Sequence, residues 1–135
     1  MTSLFLAALA APLALQAAPA DPGIPAPDKP ATFADLPIGE ATAPRCGVAF
    51  ATLEGWQKSG DPRGADWPSM ADSGGREFFV VAMARLMDAR ALSREDVMRL
   101  VEHEVASHSA DEGAAIAAML PACLSLLDVS GIAGG

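Results

Sequence analysis

The chain has 135 residues, half of them apolar (51%), which is enough for one ordinary domain with its own core. Its formal net charge of −8, with 9 Lys plus Arg against 17 Asp plus Glu, excludes nucleic acid as a partner, because phosphate binding needs clustered cations and none cluster here. Five Phe, two Trp and no Tyr leave no aromatic platform for stacking bases.

Residues 1–20, MTSLFLAALAAPLALQAAPA, carry no charged side chain, and an apolar run from Leu4 to Leu15 ends in Ala18-Pro19-Ala20. An apolar segment of this length before small residues predicts a secretory signal peptide, although its start has no Lys or Arg. The run is short and holds Pro12, so it does not predict a stable membrane span after cleavage. The expected compartment is therefore exported, periplasmic or secreted, in a bacterial envelope.

Residues 19–44 hold seven of the eleven prolines. Prolines lack an amide donor and favour extended backbone, so a disordered linker is expected over 21–42 and a helical domain over 43–132. Phe33, Leu36 and Ile38 are the apolar residues of that stretch that can dock back onto the domain.

Helical spacing begins at Pro44, a residue suited to a first turn. Cys46, Ala49, Phe50, Leu53 and Trp56 recur every three or four positions, and Gly60 closes the segment. Gly47 and Gly55 either weaken this helix or let a neighbour come close. The connection GDPRGADWPSMADSGG (60–75) is long for a compact domain, and long loops are often functional. Asp61, Arg63, Asp66 and Trp67 form its candidate binding cluster; the competing reading is that Trp67 and Met70 only tuck under the domain edge.

The next helix, 76–92, is apolar around most of its girth through Phe78, Phe79, Val80, Val81, Met83, Leu86 and Met87, which predicts the central helix of a bundle. A third helix starts at the cap Ser93, with Glu95 and Asp96 in its first turn and Leu92 stapled to Val97. Val97, Leu100, Val101 and Val105 form its expected buried stripe. A fourth helix starts near Ser109 or Asp111 and carries Ile116, Met119, Leu120, Cys123 and Leu127 on one face; Pro121 must kink or restart it. The expected fold class is all-α: a small bundle of about four helices.

His103-Glu104 and His108 resemble a zinc-protease helix only superficially. Two zinc-binding histidines stand four apart, whereas a separation of five places them roughly 140° apart around a helix. No catalytic, metal or cofactor site is assigned, and the chain is expected to be no enzyme. His108, four residues after Glu104 near a helix C-terminus, reads instead as a charge suited to that end.

Cys46 and Cys123 are the entire cysteine complement, each on the apolar stripe of its own helix. In an exported protein two such residues predict one structural disulfide. Three functions stay open: a non-enzymatic binding or interaction module of the cell envelope, with an unidentified protein partner; a carrier or sensor of an apolar small molecule between helices; and an enzyme. A cavity of at least ~300 Å³ distinguishes the carrier, and a deep pocket with converging charged groups the enzyme.

Overall fold

A computed structural model describes residues 28–132. The expected signal peptide lies outside the described residues. The elements in order are a 3-10 turn (Phe33–Asp35), α1 (Ile38–Ser59), a second 3-10 turn (Pro62–Gly64), α2 (Met70–Ser73), α3 (Gly75–Arg90), α4 (Arg94–Ala110) and α5 (Ala114–Val129). Four long helices match the expectation, and α2 is a single extra turn inside the long connection. No strand occurs among the described residues.

Five consecutive buried residues, Cys46 to Phe50, set the architecture. At about 100° per residue such a run sweeps more than a full turn, so α1 is covered from every side at its middle. The central helix is thus α1, a correction to the expectation for the 76–92 helix. That helix, α3, leaves Val80 59% exposed. Small side chains on α1 give a weak apolar signal yet allow close approach: a Cβ on Gly47 would stand 3.1 Å from Phe79 Cα of α3. Gly55 has no such neighbour.

Helix α1 divides the core in two. On one side Cys46, Ala49, Phe50 and Leu53 pack with Phe78 of α3 and with Ile116, Leu120, Cys123 and Leu127 of α5. Phe50 and Phe78 meet edge to face at 5.4 Å. A disulfide joins Cys46 to Cys123, with Cα atoms 5.3 Å apart. On the other side Val48 joins Met83 and Leu86 of α3, Leu92, and Val97 and Leu100 of α4.

The linker expectation over 21–42 is corrected for its described part. The helix starts at Ile38, six residues before Pro44, and carries Pro44 as a buried interior residue. Phe33 is fully buried and Leu36 nearly so, while Ile38 is 86% exposed. Asp35 fastens the turn by accepting from the amides of Ala31 (3.0 Å) and Thr32 (2.8 Å), which hold its carboxyl below the usual range. Burying two large apolar side chains at about 1.5–3 kcal/mol each offsets the cost of an interior proline, about 3 kcal/mol.

Ser93 caps α4 in a reciprocal box with Asp96: the Asp96 amide donates to Ser93 Oγ at 3.1 Å, and the Ser93 amide to Asp96 Oδ2 at 2.9 Å. Leu92 and Val97 are both buried in one cluster, as the staple requires. The buried face of α4 differs from the expected stripe. It runs Val97, Leu100, Glu104, His108, and Val105 is 40% exposed. Helix α5 starts at Ala114, after Asp111 accepts from the Gly113 and Ala115 amides at 3.0 Å each. It runs through Pro121 as one element without a restart, the proline lying on its exposed side.

Candidate functional site

The loop cluster is brought together only in part. Asp61 caps the second 3-10 turn by accepting from the Arg63 amide at 2.9 Å, and its carboxylate is gripped by Arg63 Nη2 at 2.6 Å. These bonds, the side-chain one foremost, lower the Asp61 carboxyl to about 2. The Arg63 guanidinium lies 4.5 Å over the Trp56 ring and donates from Nη1 to the Glu112 carbonyl at 3.1 Å, tying the loop to the start of α5. Trp67 is half-buried against the core and Met70 is fully buried. Asp66 is exposed and joins none of this.

Gln57, which carried no signal in the sequence, organises that loop. Its Nε2 donates to the carbonyls of Pro68 (2.9 Å), Gly64 (3.2 Å) and Trp67 (3.3 Å), and its Oε1 accepts from the Met70 amide at 3.0 Å. An open depression of 420 Å³ lies beside Gln57, Asp61, Pro62 and Trp67. Its polar walls already spend their hydrogen bonds on one another, which leaves little for a ligand to gain there.

A second polar group is buried between α1 and α4. Glu104 and His108 are 5% and 4% exposed. Arg45 Nε donates to Glu104 Oε1 at 2.8 Å, and His108 Nε2 lies 3.2 Å from the same oxygen without a hydrogen-bond partner. The histidine contact becomes an ion pair when the ring is protonated. Sequence spacing placed His108 one turn beyond Glu104; the partner on α1 was illegible, because Arg45 lies 59 residues away in the chain. His103 is exposed, so the two histidines face different ways. No group of three or more potential metal-binding side chains occurs among the described residues.

The third feature is a cleft of 280 Å³ at the opposite end of α1 from the loop. Gly39, Ala43 and Pro44 of α1 form one wall, Phe78, Val81, Ala82 and Leu86 of α3 the other, and Ile132 after α5 closes a side. Small residues on α1 again create the space. Glu40 also lines the cleft and is held by Arg90 in a two-pronged pair, Arg90 Nε and Nη2 donating at 2.6 and 2.9 Å. Arg90 thereby holds the Glu40 carboxyl below its usual range. Arg85 also lines the cleft and makes no ion pair among the described residues. Neither the depression nor this cleft is lined by Arg45, Glu104 or His108.

Comparison with protein families, with curated proteins and with solved structures finds no match. No single helix among the described residues is long and apolar enough to cross a membrane.

Proposed function

We propose that the protein is an exported, non-enzymatic binding module of the cell envelope, with the cleft between α1 and α3 as its working surface. The observation that carries this reading is the cleft itself: an apolar concavity on rigid helices, with a few polar groups at its rim, is the usual form of a small-molecule site. The carboxylate at that rim, Glu40, is held by Arg90 and is thereby a weak base, which favours binding over acid–base catalysis. Export is supported by the leader-like residues 1–20 and, more weakly, by the disulfide, since such bonds persist in oxidising compartments.

A second reading, a carrier or sensor of an apolar small molecule, is favoured by the apolar side chains that line the cleft. At 280 Å³ it falls just short of the usual range of ligand-site volumes, roughly 300–1,000 Å³, and suits one slender chain better than a bulky ligand.

Non-denaturing mass spectrometry of the full chain, exported from a bacterial host, tests both readings. A mature form beginning after Ala20, without free thiols and with bound apolar ligand that the Ala89→Trp variant lacks, supports them. An intact Met1 with two free thiols overturns export. Ligand or partner retained equally by Ala89→Trp overturns the cleft as the working surface. Ala89 is exposed on the cleft wall, so the larger ring fills the opening without entering the core.

A further inference from the structure

The cleft is lined by apolar residues apart from Glu40, Ser130 and one basic side chain, Arg85. The chain carries nine Lys and Arg in all. Six of them, Lys29, Arg45, Lys58, Arg63, Arg90 and Arg99, are engaged with carboxylates. Of the remaining three, Arg76, Arg85 and Arg94, only Arg85 lines the cleft. In a protein with a net charge of −8, a guanidinium beside an apolar cleft with no ion pair among the described residues is the local exception to the overall charge.

Resting on the reading of the cleft as a binding surface, we infer that it takes the apolar chain of an anionic single-chain amphiphile, a fatty acid or a like carboxylate, with Arg85 receiving the head group. Three observations meet in this assignment. The walls formed by Ala43, Phe78 and Val81 offer apolar contact and no hydrogen-bonding side chain, so they suit methylene groups. The 280 Å³ volume admits one short chain and excludes a two-chain lipid. Of the charges that line the cleft, Glu40 is already neutralised by Arg90, so the head group meets Arg85, which has no ion pair among the described residues, rather than a bare carboxylate. Asp88, three residues on along α3, makes no ion pair with Arg85 among the described residues, and acids farther than about 8 Å are screened by physiological salt. A planar guanidinium offers a carboxylate two parallel donors, the geometry that distinguishes an anionic head from a neutral one.

Titration calorimetry of the full exported chain with decanoate, decanol and decyltrimethylammonium, below their aggregation concentrations, tests the assignment. Decanoate should bind about tenfold more tightly than decanol, the modest end of the range for a charge-assisted contact because Arg85 stays in partial contact with water. The cationic probe should bind weakest. Arg85→Gln should bring decanoate down to the affinity of decanol, Arg85→Lys should restore part of the difference, and Ala89→Trp should abolish binding of both. Far-UV circular dichroism confirms that each variant keeps its helices. Equal affinity for decanoate and decanol, unmoved by Arg85→Gln and abolished by Ala89→Trp, overturns the anionic assignment while the cleft remains a binding surface. Decanoate binding that survives Ala89→Trp, or no binding of any probe by the parent chain, overturns the assignment itself.

Discussion

The two ends of α1 solve the same problem in opposite ways. At its C-terminal end the turn and loop that follow are tied down by Gln57, by Arg63 stacked on Trp56, and by the Asp61 cap. At its N-terminal end small residues face the apolar wall of α3, and a cleft stays open between them. The loop contains the residue types that usually signal recognition, yet its polar groups satisfy each other. The cleft contains almost no chemically distinctive side chain, yet it has space and a cation with no ion pair among the described residues. Polar side chains in a loop indicate a site only when their hydrogen bonds are left over for a ligand.

The largest effect expected is on the bond that joins the middle of α1 to α5 and supports both ends. Cys46 and Cys123 close a loop with a sequence separation of 77. Loop-closure entropy gives such a crosslink about 4.5 kcal/mol. Cys123→Ser should therefore lower the melting temperature by about 15–20 °C in a thermal scan. A fall of only a few degrees would show that helix packing, not the crosslink, holds the two regions together.

Next comes a change confined to the closed end. Gly113 has φ +85°, and a Cβ there would stand 2.5 Å from Trp56 Cη2. Gly113→Ala should cost about 2–3 kcal/mol, from the left-handed backbone and from displacing Trp56 out of its stack with Arg63. Chemical denaturation should report that loss while decanoate binding at the other end stays unchanged. Gln57→Ala should cost less, about 1–2 kcal/mol, and should speed amide exchange in 64–70, where the Met70 amide loses its acceptor. Unchanged exchange there would mean that the loop is held by Trp67 and Met70 packing alone.

The smallest effect separates the ends by pH. The folded Asp61 carboxyl is lowered from 3.8 to about 2, so its contribution is complete above pH 4 and is lost as the pH falls through 2. Asp61→Asn should flatten that part of the acid-unfolding curve and leave the pH dependence of stability above pH 5 as in the parent. A variant curve as steep as that of the parent over this interval would assign the acid sensitivity to other carboxylates, Asp96 first, whose carboxyl is lowered by Lys29 and by its capping bonds with Ser93.

Much of the fold was legible. Periodicity marked the four long helices, the cap Ser93 and the staple of Leu92 to Val97 set the start of α4, and the placement of Cys46 and Cys123 on two apolar stripes anticipated their bond. The failures share a cause. Proline density argued for a disordered 21–42, but Phe33 and Leu36 found burial that local propensity does not measure. The broad apolar girth of α3 suggested a central helix, but centrality went to α1, whose Gly47 and Ala49 are small enough to admit neighbours. On α4, Val105 was expected on the buried stripe but is 40% exposed, and Glu104 is buried instead, because Arg45 reaches it from α1 and makes a buried carboxylate tolerable.

Spacing and composition, then, determined that this protein is helical, where its long helices run, and which cysteines can meet, because those properties follow from periodicities of a few residues along the chain. Tertiary structure alone decided which helix lies at the centre, which loop is closed, and where a cleft lined by Arg85 remains. Those outcomes depend on pairs such as Arg45 and Glu104 or Glu40 and Arg90, 59 and 50 residues apart in the chain. No local pattern encodes the space left between two packed surfaces.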